Sequence, residues 1–106
     1  MATVVLTSDA VRDLSGLPAP IIARMDRLVE RLRHWPDVSG AKPLTGNLAG
    51  KYRLRTGDYR LQFRVETTRK TLKVKRVVKK GKKEKEVVDH KIVVEKAGHR
   101  DGFYDE

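Results

Sequence analysis

The chain of 106 residues is long enough for one hydrophobic core and carries 24 Lys and Arg against 14 Asp and Glu, a formal net charge of +10. It has no cysteine, which excludes disulfides and thiolate metal sites. The charge is uneven: residues 1–50 hold 6 basic and 5 acidic side chains, while 51–100 hold 18 and 6, so the second half points to a polyanionic partner.

Met1 opens onto Ala-Thr-Val-Val-Leu-Thr, an apolar run too short for a secretion signal or a membrane span. A cytoplasmic location is therefore expected. Thr3 to Thr7 reads as a first strand. Ser8 or Asp9 can cap a helix from about Ala10 to Ser15 that buries Val11, Leu14 and Leu17, and Gly16 stops it. Pro18 and Pro20 fit the first turn of a second helix, where proline loses no hydrogen bond. That helix carries Ile21, Met25, Leu28, Leu32 and Trp35 on one stripe, widened by Ile22 and Val29. Arg24, Arg27, Glu30, Arg31 and Arg33 fill its polar side. Its end is predicted at Trp35-Pro36, because the residue before proline is pushed out of helical geometry.

A connection from about Asp37 to Gly50 leads into the most regular pattern in the chain. Lys51-Tyr52-Arg53-Leu54-Arg55 and Tyr59-Arg60-Leu61-Gln62-Phe63-Arg64-Val65 alternate with period two around Gly57-Asp58, which predicts two strands and a tight turn. Tyr52, Leu54, Tyr59, Leu61, Phe63 and Val65 can then bury. Lys51, Arg53, Arg55, Arg60 and Arg64 project from the opposite face, with almost no carboxylates among them. Such a face repels itself until a polyanion supplies the counter-charge, and RNA phosphates fit that need.

After Glu66, Leu72, Val74 and Val78 alternate again, and Val88, Ile92 and Val94 return beyond a basic turn at Lys80-Gly81-Lys82-Lys83-Glu84. A hairpin pairing Leu72 with Val94, Val74 with Ile92 and Val78 with Val88 puts all six on one face. Taken alone, Lys79 to Lys85 reads as a solvated loop. The predicted class is α+β: two N-terminal helices packed on one face of a twisted antiparallel sheet, in the order β-α-α-β-β-β-β, with an extended basic hairpin. Residues 1–106 form one domain in this reading.

The strand pair Tyr52-Arg53-Leu54-Arg55-x-Gly57-Asp58-Tyr59-Arg60, with the segment Gly98-His99-Arg100-Asp101-Gly102-Phe103-Tyr104, resembles the RelE/ParE toxin superfamily. Leu14-x-x-Leu17-Pro18 and Pro43-Leu44-x-Gly46-x-Leu48 fit the same family, and the resemblance covers nearly the whole chain. About Lys70 to Asp89 departs from it, as an extension of a hairpin that is usually shorter. The resemblance implies the toxin of a toxin–antitoxin pair. RelE-like members enter the ribosomal A site and cut mRNA without a metal, by attack of a ribose 2′-OH on the adjacent phosphate. ParE-like members share the fold, poison DNA gyrase and usually lack the basic catalytic set. This chain retains that set, which favours the nuclease branch. The implied partners are the 70S ribosome with its mRNA and a cognate antitoxin, acidic where it covers the basic face. No cofactor, metal or membrane is implied.

Cleavage by 2′-OH attack needs the hydroxyl deprotonated, the phosphorane charge neutralised and the departing 5′-oxygen protonated. Arg60 matches the family's transition-state arginine, whose planar fork suits two phosphate oxygens at once. Arg53 and Arg55 stand where relatives often have lysines. A guanidinium rarely gives up its proton, so with Lys51 and Arg64 they read as phosphate ligands, not bases. His99 is the general acid/base candidate because its intrinsic pKa of about 6.5 lies near working pH. Beside it, Arg100 would orient phosphate or help protonate the leaving group, and Tyr104 can stack on a splayed base. His34 and His90 read as structural or incidental. HExxH, GxxxxGK[ST] and Gly-x-Ser-x-Gly are absent, and the histidines are too scattered for a metal site. Two rivals remain: a gyrase-directed toxin and a non-catalytic nucleic-acid-binding relic.

Overall fold

A computed structural model describes residues 2–73 and 84–103. Strand β1 (Thr3–Leu6) leads into helix α1 (Ser8–Ser15) and then α2 (Ala19–Leu32). A two-residue strand β2 (Lys42–Pro43) and a 3-10 turn at Gly46–Leu48 precede β3 (Lys51–Thr56), β4 (Tyr59–Lys73) and β5 (Glu84–His99). The five strands form one sheet in the order β1-β5-β4-β3-β2. All pairings are antiparallel except β1 with β5, which is parallel. The α+β class with two helices packed on the sheet is as expected.

Local chemistry explains where the elements begin and end. Helix α1 starts two residues earlier than predicted because Thr7, in extended conformation, is its cap: Thr7 Oγ1 accepts the Ala10 N–H at 3.1 Å. Helix α2 stops at Leu32, one turn short of Trp35-Pro36. Its last amides switch to tighter bonds, His34 N–H to Arg31 O and Trp35 N–H to Leu32 O, both 3.1 Å. The short β2 carries Pro43, opposite Tyr52, and lies at the sheet edge, where a missing N–H does no harm.

The period-two reading of the basic strands holds. Tyr52↔Phe63 and Leu54↔Leu61 share one face, while Lys51↔Arg64, Arg53↔Gln62 and Arg55↔Arg60 share the other. The first face meets the helices in a core of Ala10, Met25, Leu28, Leu32, Leu54, Leu61, Phe63, Ile92 and Val94. Trp35 caps it, edge-on to Tyr52 (4.9 Å between ring centroids) and to Phe63 (5.6 Å).

The hairpin register differs from the expected one. Val94 pairs with Phe63, Ile92 with Val65 and Val88 with Arg69, while Leu72 pairs with Lys85. Val74 and Val78 lie outside the described residues. The second arginine strand does not stop at Glu66 but continues to Lys73 as a single strand of 15 residues. Its apolar set is thereby spent on β5 before the predicted second alternation begins. At roughly 3.4 Å per residue this strand spans about 50 Å, most of the molecule's long axis in an envelope of 60 × 31 × 25 Å.

One irregularity decides the geometry of the site. Gln62 pairs with Lys96 but Phe63 with Val94, so Glu95 is the extra residue of a β-bulge. Beyond β1, the free edge of β5 is closed by α1: Asp13 Oδ2 accepts the Ala97 N–H at 3.1 Å. We predict that Asp13→Ala lowers unfolding free energy by about 1–3 kcal/mol, the usual penalty for an orphaned part-buried amide. Asp13→Asn, which keeps an acceptor, should lose less. Urea midpoints for both variants provide the check; equal losses would place the effect elsewhere in the Asp13 environment.

Candidate nucleic-acid interface

Strands β3 and β4 carry Arg53, Arg55 and Arg60 on the face away from the core, with Arg55 directly opposite Arg60. Like charges so placed destabilise a sheet. Among the described residues, no carboxylate lies within ion-pair distance of any of the three. Arg60 bends toward the β3–β4 turn, its Nη1 donating to Gly57 O at 3.2 Å and Tyr59 O at 3.4 Å. Across from it on β5 stands Gly98, which leaves the space beside Arg60 free of a side chain on that strand.

Lys51 and Arg64 are differently employed. The bulge residue Glu95 brings a carboxylate into the basic face, contrary to the sequence expectation of almost none. Glu95 Oε1 lies 3.0 Å from Lys51 Nζ and accepts from Gln62 Nε2 at 3.4 Å, and Oε2 accepts from Arg64 Nη1 at 2.7 Å. Arg64 also donates to Glu66 Oε2 through Nε (3.2 Å) and Nη2 (3.0 Å). Both carboxylates raise its already high pKa. Glu95 reached this face through a bulge, and nothing in the alternation of β5 marks one. Its carboxylate lines an open groove of about 360 Å³ between α1 (Asp9, Arg12, Asp13) and Lys51, Gln62 and Lys96 of the sheet.

The remaining predicted residues sit at the end of the sheet. His99 closes β5 opposite Tyr59, its ring edge-on to the tyrosine at 5.2 Å. Tyr59 belongs to the core face, so the register places His99 and Arg60 on opposite faces. His99 Nδ1 accepts the Asp101 N–H at 3.1 Å, which puts the proton of the neutral ring on Nε2. Asp101 Oδ2 lies 3.5 Å from the same nitrogen. Arg100 donates its N–H to Asp58 O at 2.7 Å, tying this segment to the β3–β4 turn. Its guanidinium stays exposed, with Asp58 and Asp101 at 3.8 and 3.7 Å. Exposed pairs of that length contribute little.

Phe103, for which the sequence suggested no role, is buried against Gly98, with Lys96 Nζ 4.5 Å from its ring centre. A Cβ on Gly98 would stand 3.4 Å from the Phe103 ring, so Phe103 turns this segment onto the arginine-bearing face. Tyr104 and most of Lys79–Lys85 lie outside the described residues. His34 is exposed at the end of α2, and His90 Nδ1 meets Thr67 Oγ1 at 3.2 Å, far along β5. Among the described residues no three His, Asp or Glu side chains gather as metal ligands would. No helix among them is long and apolar enough to cross a membrane.

Burial alone would raise the Glu95 carboxyl. Hydrogen bonds from Lys51, Arg64 and Gln62 outweigh it and hold Glu95 below its ordinary value of 4.5. A depressed folded-state pKa stabilises the fold above the unfolded value and loses that contribution as pH falls through the folded one. We therefore predict that wild type loses stability relative to Glu95→Gln as pH drops below about 4.5. Urea unfolding across that window is the measurement, and parallel pH profiles for the two proteins would contradict it.

No family model matches the chain, and no curated protein matches it by sequence. A solved structure does: the toxin–antitoxin complex RelBE2 from Mycobacterium tuberculosis, with a TM-score of 0.64 and 27% identity, over 93% of this chain and 91% of that one.

Proposed function

We propose that this chain, which has the RelE-like toxin fold, is the toxin of a toxin–antitoxin pair, its single domain acting as a ribosome-dependent mRNA endoribonuclease. The observation that carries the reading is the row of Arg53, Arg55 and Arg60, set on one face of a rigid sheet without carboxylate partners among the described residues. A sheet keeps such a row only at an electrostatic penalty, and a phosphodiester backbone removes it.

The chemistry divides among these groups. The ribose 2′-oxygen forms a bond to the adjacent phosphorus, and the bond from phosphorus to the 5′-oxygen breaks. The 2′-proton leaves to a base, and the 5′-oxygen takes a proton. Arg60 holds the non-bridging oxygens as the phosphorane gains charge, with Arg53 and Arg55 fixing neighbouring phosphates. His99 acts as the imidazolium: it gives its Nε2 proton to the departing oxygen and is left neutral. Arg100 steers phosphate at the sheet end. Lys51 and Arg64, already held by Glu95, position the face and supply long-range attraction. Tyr104 follows Phe103 in sequence and completes the set as a stacking or ribose-contacting residue.

The partners in this reading are the ribosome with its message and a cognate antitoxin, acidic where it covers the same arginines. The RelBE2 match, itself a toxin–antitoxin complex, supports the second partner. Translation in a reconstituted extract separates the readings. The nuclease stops synthesis and leaves cut message, whereas loss of DNA supercoiling activity with intact message would assign the chain to the gyrase-directed branch.

Two variants test the roles. Arg60→Ala should lower single-turnover cleavage on ribosomes by about 10²–10³-fold while keeping the wild-type urea midpoint, since no core packing is removed. Wild-type-like cleavage from that folded protein would sink the transition-state role. His99→Ala should slow cleavage by about 10²-fold or more with ribosome affinity nearly unchanged. Equal losses in rate and affinity would make His99 a contact residue instead.

A further inference from the structure

The Gly57-Asp58 turn collects guanidinium groups from elements distant in sequence. Arg60 Nη1 donates to Gly57 O, Arg55 stands opposite Arg60, and Arg100 is bonded to Asp58 through its backbone. A fourth arrives from α2. Arg24 lies over the glycine: a Cβ at Gly57 would stand 3.7 Å from its Nη1. Arg24 is exposed and has no ion-pair partner among the described residues. Asp58 is the one carboxylate within the turn itself, and its nearest guanidinium, that of Arg100, is 3.8 Å away. Charge of one sign therefore converges on the end of the sheet from both of its faces.

The two faces matter because the candidate groups are divided between them. Arg55 and Arg60 lie on the arginine-bearing face, whereas His99 lies with Tyr59 on the face that α2 covers. A nucleic-acid strand that follows Arg53, Arg55 and Arg60 and also reaches His99 must pass around the sheet end at Gly57. Arg24 is the cation on the far side of that passage. Gly57, with φ of +58° and no side chain, leaves the backbone low enough for the strand to cross.

We propose that Arg24 binds the phosphate next to the one held by Arg60, so that the RNA path bends over the Gly57 turn from the arginine-bearing face to His99. The inference rests on the RNA-directed reading above and adds a ligand from α2 to it. In sequence Arg24 is one of several arginines on the polar side of α2, and only the packing of that helix over the turn sets it apart.

The test is binding of a short single-stranded RNA whose 2′-hydroxyls are methylated, so that affinity is read without cleavage. For wild type, log affinity falls linearly with log salt. Arg24→Ala should reduce that slope by about 0.7, the value of one lost single-strand phosphate contact, and Arg24→Lys should restore it. Arg27→Ala removes an exposed charge from the next turn of α2 and should keep the wild-type slope. An unchanged slope for Arg24→Ala, or an equal fall for Arg27→Ala, would overturn the proposal. Failure of the nuclease reading looks different. In that case the Arg24-dependent slope persists while wild type leaves ribosome-bound message uncut.

Discussion

A single extra residue in β5 sets which face Glu95, Gly98 and His99 present to the strands beside them. Up to Val94 the strand buries its even-numbered residues, Ile92 and Val94, against the helices. After the bulge at Glu95 it buries Ala97 instead. The phase change turns Gly98 toward Arg60 and His99 toward Tyr59. Without it, Ala97 would stand opposite Arg60 and Gly98 opposite Tyr59, and His99 would fall on the arginine-bearing face. Bulges commonly re-aim side chains where a sheet meets its ligand, and this one does so for two neighbours at once.

The same residue determines how the positive charge is held. Glu95 joins β3 through Lys51 and β4 through Arg64 and Gln62, so three strands share one half-buried carboxylate. Removing a partner from such a group leaves a desolvated charge behind. Toward the Gly57 turn no carboxylate among the described residues plays that part, and Arg55 faces Arg60. The sheet is therefore self-neutralised at its middle and charged at its end. That polarity separates the proposed ligand site near Gly57 from the ion-paired centre at Glu95.

Much of this was legible in the residues themselves. Period-two alternation fixed the faces of β3 and β4 correctly, because Leu54, Leu61 and Phe63 have one way to bury and the arginines have none. The helix stripes were equally plain. The hairpin register was not, since it depends on where β4 ends. Thr67, Thr68, Arg69 and Lys70 carry no stop signal, nor an apolar rhythm that would show the strand continuing. Pairing of Lys42 and Pro43 could not be read from two residues, and the Glu95 bulge has no sequence mark at all. Arg24 was visible only as part of a polar stripe. Its place beside Gly57 comes from tertiary packing, which local pattern does not encode.

The parallel pairing of β1 with β5 has a consequence in time. Thr7 bonds to Glu95 across 88 residues, and Asp13 to Ala97 across 84. The β3–β4–β5 meander is built from pairings at most 40 residues apart (Tyr59↔His99), so it can assemble as soon as its own residues are available. Strand β1 and helix α1 must wait for β5, and such long loop closures are the slow part of folding. During synthesis at about 5–20 residues per second, the edge of β5 near His99 therefore acquires its Asp13 cover only after Ala97 has emerged. The backbone of β5 beside His99 is thus completed by a partner from the far end of the sequence, through the contact that carries the largest loop-closure cost in this part of the sheet.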